Sequence, residues 1–291
     1  ARGGQRLCHR AVDADAAAAA GVLSLRQLLL ANVEATEKVP CPVPRASDDA
    51  PEAALLDVLH AADAALRATA VSVVLDFRSH RASSLVHPAL AGAQGPAVVV
   101  FVDHASPAST ETLVKLLSPR GGLPGSSVGN GFGSAFLLGD CLSVLHRDTL
   151  HVFDPTGAFL GDGEDAARTP NGRRYGLGDG DLMRKFPHQF EPFAALPFGV
   201  TERGLKRGTL LRIPLRKRDG ARWTCFAADG TLDREAAAGL LEALESPANL
   251  LFCASLGALS TQTLDGTTLA PRFSAAKGQE RLLAAESSPA S

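Results

Sequence analysis

A glycine- and serine-rich stretch, PGSSVGNGFGSAF at positions 124–136, has the composition of a loop that could carry out chemistry. Residues 125–129 match the pattern G-x-S-x-G, which in hydrolases presents a nucleophilic serine on a sharp turn directly after a strand. The residues before this match are SPRGGLP, and they do not predict a strand. We therefore interpret the match as coincidental and do not predict a serine nucleophile.

The same stretch fails the two familiar phosphate-binding patterns. A P-loop needs G-K followed by Ser or Thr, and this tripeptide does not occur in the sequence. A Rossmann fingerprint that includes Gly129 would need glycine at position 134, which is Ser134. What remains is a glycine-rich turn that leads into a helix, where free N–H groups form a weak anion site.

Metal chemistry has no support in the spacing of the acidic residues, histidines or cysteines. The acidic loops GDGED and GLGDGDL lack EF-hand spacing, and the eight histidines show no H-x-x-H pair. The five cysteines are scattered without a C-x-x-C pair, which predicts reduced, mostly buried thiols. We predict no metal site formed by these residues.

The elements that must position the glycine-rich turn mix helices and strands without strict βαβ alternation. Residues 51–68, PEAALLDVLHAADAALRA, are good helix formers with proline in the first turn. The other predicted elements are strands at 70–77, 95–103, 208–216 and 248–256, helices at 106–118 and 232–245, a helix or strand at 132–145, an Ala/Leu-rich helical segment at 11–37, and a loop at 156–182. This mixture predicts an α+β fold with two layers.

Composition excludes some classes of partner. The chain has 291 residues, with 29 basic and 31 acidic side chains and a formal net charge of −2. This balance gives no electrostatic basis for binding nucleic acid or an anionic membrane. No apolar run reaches the length of a membrane span, so we expect a soluble protein with no membrane contact and take the cytoplasm as the default location.

A series of segments, in order, resembles the ATPase-like domain of sacsin repeats. The segments are LLDVLHAADAALRATAVSVVLDFRSH, QGPAVVVFVD, GNGFGSAFLLGDCLSVL, HVFDP, FPHQFEPF and GTLLRIPLR. In that family, a helix with E-L-I-Q-N-A-D-D-A precedes a strand and QGPAL-V-Y-N, and a G-x-x-G-x-G-F-N-S turn, FDP, FP-QF-PF and GT-FR-PLR follow. The match spans roughly residues 55–260, and its last three segments are the most specific.

The resemblance implies the Bergerat-type fold of the GHKL superfamily, which includes heat-shock chaperone, gyrase, histidine-kinase and mismatch-repair ATPases. It predicts helices on one face of a mixed, mainly antiparallel sheet, with ATP between the helices and the sheet. The glycine-rich turn would then be the lid hinge that contacts the phosphates. This assigns nucleotide binding to Ser126, Ser127, Gly129, Gly131 and Phe132, although two positions of the family's turn differ here.

The first helix departs from the family at its catalytic positions. There the family carries Glu for the attacking water, Asn for Mg²⁺ and Asp to support the pocket, all on one helical face. The matching residues are Asp57, Ala61 and Ala64. Asp57 keeps a carboxylate that is one methylene shorter, and Ala61 offers no oxygen to Mg²⁺. Asp63 does not replace them because it points away from that face.

Asp103 ends the strand VVVFVD and is the candidate acceptor for the amino group of adenine, as an aspartate is in the related ATPases. Glycines back that aspartate in the related proteins, whereas HASPAS follows here. An ordinary carboxylate at the end of a strand is the alternative interpretation, and we leave both open.

We therefore expect an N-terminal helical segment and linker at 1–50, a sacsin-type ATPase-like domain at 51–265, and a flexible tail at 266–291. The favoured function is a degenerate pseudo-ATPase that serves as an interaction or scaffold module in protein quality control, with protein partners or chaperone clients. One alternative is an active, divergent Mg-dependent chaperone ATPase in which Asp57 is catalytic. Another is a purely structural subunit with no ligand. Whether ATP and Mg²⁺ bind is left open.

Overall fold

A mixed sheet organises the domain. The computed structural model describes residues 7–8, 23–24, 36–39, 51–105, 109–117, 131–160, 171–178, 180–194, 196–217 and 224–277. Within those residues, nine strands form one sheet, and their order across it is 268–276, 258–265, 70–76, 97–103, 209–214, 142–146, 149–154, 171–176 and 36–39. In that sheet, only the strands 258–265 and 70–76 pair in parallel. The predicted α+β class with a mixed, mainly antiparallel sheet is confirmed.

The strands are short to medium in length. Those of the large sheet are β3 (Thr36–Val39), β4 (Ala70–Asp76), β5 (Ala97–Asp103), β6 (Leu142–His146), β7 (Thr149–Asp154), β8 (Asn171–Gly176), β11 (Thr209–Pro214), β12 (Ala258–Asp265) and β13 (Thr268–Ala276). Two small pairs lie outside it: β1 (Leu7–Cys8) with β2 (Leu23–Ser24), and β9 (Val200–Thr201) with β10 (Gly204–Leu205).

The helices match the predicted ones closely where the sequence contains strong helix formers. The α-helices are α1 (Pro51–Leu66), α2 (Thr110–Leu117), α3 (Asp181–Lys185), α4 (Pro187–Ala194) and α5 (Arg234–Glu242). Three 3₁₀-helices are η1 (Pro88–Ala93), η2 (Gly131–Leu137) and η3 (Pro247–Phe252). The N–H of Thr112 donates to the Ser109 hydroxyl at 3.1 Å, which satisfies an orphan donor in the first turn of α2.

Each face of the sheet carries its own apolar core. Under α1, the buried residues Leu55, Val58, Leu59, Ala62 and Leu66 recur at helical spacing and pack on one face together with α5 and η2. The opposite face packs against the shorter α3 and α4 and against η1, through residues that include Phe186, Phe190 and Phe193. The aromatic residues of FPHQFEPF therefore pack α3 and α4 against the face of the sheet opposite α1.

Three predictions about local structure were wrong. Residues 171–176 form β8 within the segment predicted as a loop, because they pair with β7 and β3 despite their polar sequence. Residues 247–252 form η3, since Ser246 caps it and Pro247 sets its first turn. Residues 268–276 form β13, which pairs with β12 along its length and does not belong to a flexible tail.

The remaining terminal predictions fall mostly outside the described residues. The predicted tail beyond Lys277 lies outside them. Of the segment predicted as helical at 11–37, only 23–24 and 36–37 are described, and both belong to strands. No helix among the described residues is long and apolar enough to cross a bilayer.

The end of α1 provides a test of backbone strain. Arg67 is exposed and has φ of 51°, and its N–H donates to the carbonyl of Asp63 in the 5→1 bond of an αL cap, while the N–H of Ala68 donates to the carbonyl of Ala62. Because a left-handed conformation costs a non-glycine residue about 1 kcal/mol, Arg67→Gly should raise the free energy of unfolding by about that amount in urea titrations. The matched control is Arg81→Gly, an exposed loop residue without positive φ, which should lose stability through unfolded-state entropy.

Candidate functional site

The described end of the glycine-rich stretch, residues 131–136, contacts the first helix. Gly131 begins η2 with φ of 60°, a conformation that favours glycine. A Cβ added at Gly131 would lie 2.9 Å from the backbone oxygen of Leu116 and 3.7 Å from Cβ of Ala61. Glycine is therefore required here by both its conformation and the close approach of α2. The turn lies beside the helical position where the family carries its magnesium-binding Asn.

Asp57 contacts the same segment through its carboxylate. The hydroxyl of Ser134 in η2 donates a hydrogen bond to Oδ2 of Asp57 at 2.5 Å, and Asp57 is half-buried. The structure thus brings together Asp57, Ala61 and Gly131. Ala64 is exposed on the same helix. Phe132 is 1 % exposed and is part of the core under α1.

Asp63, in contrast, has a structural role on another side of α1. Its carboxylate accepts the backbone N–H groups of Ala254, Ser255 and Leu256, each at 2.7 Å, and its side chain is buried. Three such bonds satisfy most of the acceptor sites of the carboxylate and hold the segment between η3 and β12. The prediction that Asp63 cannot replace the missing oxygen at position 61 agrees with this orientation.

Asp103 lies at the end of β5, away from Asp57. Val98, Val100 and Val102 belong to the core under α1, while Val99 belongs to the core on the opposite face. Since side chains alternate along a strand, Asp103 points to the face opposite α1. There the carboxylate of Asp103 forms an ion pair with Nε of Arg207 at 2.5 Å. The adenine role of Asp103 remains a prediction that this orientation does not support.

Ser126, Ser127 and Gly129 lie outside the described residues, so their predicted contact with phosphates is not tested.

A buried imidazole cluster occupies the α1 face near Asp103, and the sequence analysis did not identify it. The hydroxyl of Thr209 is 2.8 Å from Nε2 of His104 and 2.9 Å from Nδ1 of His146, and all three residues are buried. The two imidazole rings are nearly parallel, with centroids 5.8 Å apart. His104 directly follows β5, and Thr209 is the second residue of GTLLRIPLR and the first of β11. The sequence analysis identified both segments but did not predict that they pair.

The electrostatics on this face favour neutral imidazoles at His146 and His151. Burial, together with nearby His104, lowers the pKa of His146 to about 4. Burial also lowers the pKa of His151 on β7 to about 4, with contributions from Arg174 and His146. These side chains therefore act at neutral pH as hydrogen-bonding groups and not as cations. Among the described residues, no group of three or more His, Cys, Asp or Glu is placed to hold a metal ion.

The family relationship is established by comparison with known families. A model of the sacsin domain matches residues 49–274, well over half of the chain. The chain belongs to the sacsin domain family. A comparison with curated proteins gives no match.

Within this sacsin domain, the described residues do not fit the magnesium–nucleotide complex that the family resemblance implies. Mg²⁺ prefers oxygen ligands in octahedral geometry, and position 61 offers a methyl group that lies beside Gly131. The nearest retained carboxylate on that face, Asp57, already accepts the Ser134 hydroxyl. The arrangement can hold the glycine turn against α1, but it presents no protein oxygen from position 61 to a cation.

The buried histidines predict a pH dependence of stability. The folded protein keeps His146 and His151 neutral down to about pH 4, whereas the unfolded chain protonates them near 6.5. The unfolded state thus binds more protons between these values, so the stabilisation is complete above about pH 7 and falls as the pH approaches 4. Thermal melting between pH 7 and 4.5 should show a falling Tm. The free energy of unfolding lost is on the order of 3 kcal/mol per histidine once the pH lies below both pKa values.

His151→Leu removes one of these titrating groups without touching the Thr209 hydrogen bonds. It should reduce the dependence of Tm on pH relative to the wild-type protein. A wild-type Tm that stays constant from pH 7 to 4.5 would show that these imidazoles do not hold their low pKa values.

Proposed function

We propose that this sacsin-family domain is a pseudo-ATPase that acts as an interaction or scaffold module in protein quality control. The observation that carries the proposal is the replacement of the family's magnesium-binding Asn by Ala61, whose methyl group lies beside the glycine turn. Transfer of a phosphoryl group depends on a cation that neutralises the developing charge on its oxygens. A helix face without that ligand is poorly suited to hydrolysis.

The state of the retained carboxylate supports the same proposal. In the family, the residue at the Asp57 position polarises the attacking water. Here the side chain is one methylene shorter and is bound by the Ser134 hydroxyl, so its carboxylate helps to hold η2 on α1. Displacement of a catalytic group by about 1 Å can reduce a rate on the order of a hundredfold.

An interaction role follows from what this domain retains. The domain keeps the sheet and the apolar core under α1. What α1 lacks is a side-chain oxygen at position 61 that could bind Mg²⁺. A fold can be kept for its surfaces after its reaction is lost, because function resides in sites and not in the architecture. Protein partners or chaperone clients are the partners that the family membership favours.

Phosphate release from Mg-ATP tests the enzymatic part of the proposal. The purified chain should show no magnesium-dependent turnover above that of Asp57→Ala, because position 61 supplies no metal ligand. Glu52→Ala is the matched control, since Glu52 is a carboxylate in the first turn of the same helix. Magnesium-dependent turnover that Asp57→Ala abolishes and Glu52→Ala preserves would instead support the active, divergent ATPase.

Thermal melting with Mg-ATP and Mg-ADP separates the remaining alternatives. A ligand at a hundred times its Kd stabilises a folded protein by about 2.7 kcal/mol, which raises Tm by several degrees. A shift without turnover would indicate a pseudo-ATPase that keeps nucleotide binding. The absence of any shift at millimolar nucleotide would indicate a domain that works through protein contacts alone.

A further inference from the structure

A cavity of about 230 Å³ opens at the end of the sheet where β11 ends and β6 begins. It lies at the opposite end of β11 from Thr209 and the histidine cluster. Its lining includes apolar surface from Cys141, Phe159 and Leu215 and polar groups from Asp140, Arg216 and Lys217. Of the nucleotide-binding residues expected from the sequence, the three that the structure describes, Asp103, Gly131 and Phe132, do not line it.

A buried guanidinium holds the first wall of this cavity. Arg212 is 2 % exposed, and it donates from its two terminal nitrogens to the carbonyls of Ala93 and Gly95 at 2.6 and 2.7 Å. Burial lowers the pKa of Arg212 to about 10, which leaves the guanidinium charged at neutral pH. The wall formed by Gly92 and Ala93 is thus fixed to β11 by charge-assisted hydrogen bonds.

A second buried guanidinium holds the next wall. Nε of Arg216 donates to Oδ1 of Asp140 at 2.8 Å, and its other nitrogens donate to the carbonyls of Leu137 and Phe136 at 3.0 and 2.8 Å. The side chain of Arg216 is 1 % exposed. These bonds connect the end of η2 and Asp140, which precedes Cys141, to Arg216, which follows β11.

A buried carboxylate holds the third wall. Asp154 is fully buried, and its Oδ2 accepts the backbone N–H groups of Phe159 and Leu160 at 2.6 and 2.8 Å. Its other oxygen accepts the Thr156 hydroxyl at 2.8 Å. The ring of Phe159 therefore stands on a loop that is fixed at its base.

Three buried charged residues from the HVFDP and GTLLRIPLR segments thus each support a different wall of one cavity. Burying a charge is costly unless it is fully hydrogen-bonded, and Arg216 and Asp154 are bonded to the segments that line the cavity. Walls supported in this way are preorganised, which is what a binding site needs in order to hold a small ligand.

The charged groups at the opening of the cavity indicate which class of ligand it can bind. Arg216 and Asp140 compensate each other at 2.8 Å. Lys217 is exposed, and no ion pair of its ammonium group occurs among the described residues. A Cβ added at Gly95 would lie 3.3 Å from Cε of Lys217 and 3.6 Å from its Nζ, so the side chain lies along the rim. Within the part of the chain that the structure describes, the cavity therefore combines an apolar interior with one lysine ammonium group that forms no ion pair.

We propose that this cavity binds a small organic carboxylate with a short apolar body. The carboxylate pairs with Nζ of Lys217, and the apolar part packs against Phe159 and Leu215. At about 30 Å³ per water-sized group, the volume accommodates roughly eight non-hydrogen atoms. A free acid and the carboxyl terminus of a peptide share this chemistry. The inference does not rest on the proposed pseudo-ATPase function.

Binding of matched acids and amides tests the proposal. Butyrate and benzoate, with butyramide and benzamide as neutral counterparts, are titrated against the full chain by ligand-observed NMR. The acids should bind more tightly than the amides. Lys217→Gln should weaken acid binding about tenfold, the value of one charge-assisted contact, and leave amide binding unchanged. Lys206→Gln, an exposed lysine before the other end of β11, should have no effect.

A second variant tests the location independently of charge. A Cβ at Gly92 would lie 3.3 Å from the Phe159 ring, so Gly92→Val should narrow the cavity and reduce the binding of acids and amides alike. Thermal melting checks that each variant is folded. Equal binding of acid and amide, equal effects of Lys217→Gln and Lys206→Gln, or no binding at about 10 mM acid would overturn the proposal.

A tetrapeptide with a free carboxyl terminus and its amidated form distinguish the two sources of carboxylate. Tighter binding of the free peptide than of butyrate, lost on amidation and in Lys217→Gln, would assign the cavity to protein termini. Binding of the small acids alone would assign it to a free metabolite-sized carboxylate.

Discussion

The buried carboxylate of Asp63 sets the orientation on which the candidate site depends. Its three backbone hydrogen bonds fix one side of α1 to the segment that enters β12. At 3.6 residues per turn, Ala61 lies about 200° around the helix from Asp63. With Asp63 held toward residues 254–256, Ala61 must face the other way, toward the glycine turn. The same interaction thus secures the core and determines which residues meet η2.

The packing of α1 against η2 does not require a polar side chain at position 61. The contact between α1 and η2 depends on the conformation of Gly131, on the small Ala61 side chain and on the Ser134–Asp57 hydrogen bond. An Asn at position 61 would add a polar side chain beside this contact, whereas alanine adds only a methyl group. Alanine at position 61 is therefore compatible with close packing between α1 and η2.

The sequence predicted elements and local contacts better than long-range pairings. Good helix formers predicted α1, and β-branched runs predicted β4 and β5. The contact between Asp57 and Ser134 of η2 became visible only in the structure. The Thr209 cluster was not predicted because His104 and His146 come together only when β5, β11 and β6 pair. β13 was missed for the same reason: its small and polar residues indicate no strand until β12 pairs with it.

The two ends of β11 contact different parts of the molecule, so the GTLLRIPLR segment does not contribute to a single site. At its first residue, Thr209 contacts two imidazoles on the α1 face, and beyond its last residue, Arg216 fixes the end of η2. Because η2 also carries Ser134, one short 3₁₀-helix connects the residues held by Arg216 with the hydrogen bond to Asp57. The described cavity and the α1 face are therefore joined through η2, although neither Ser134 nor Asp57 lines the cavity.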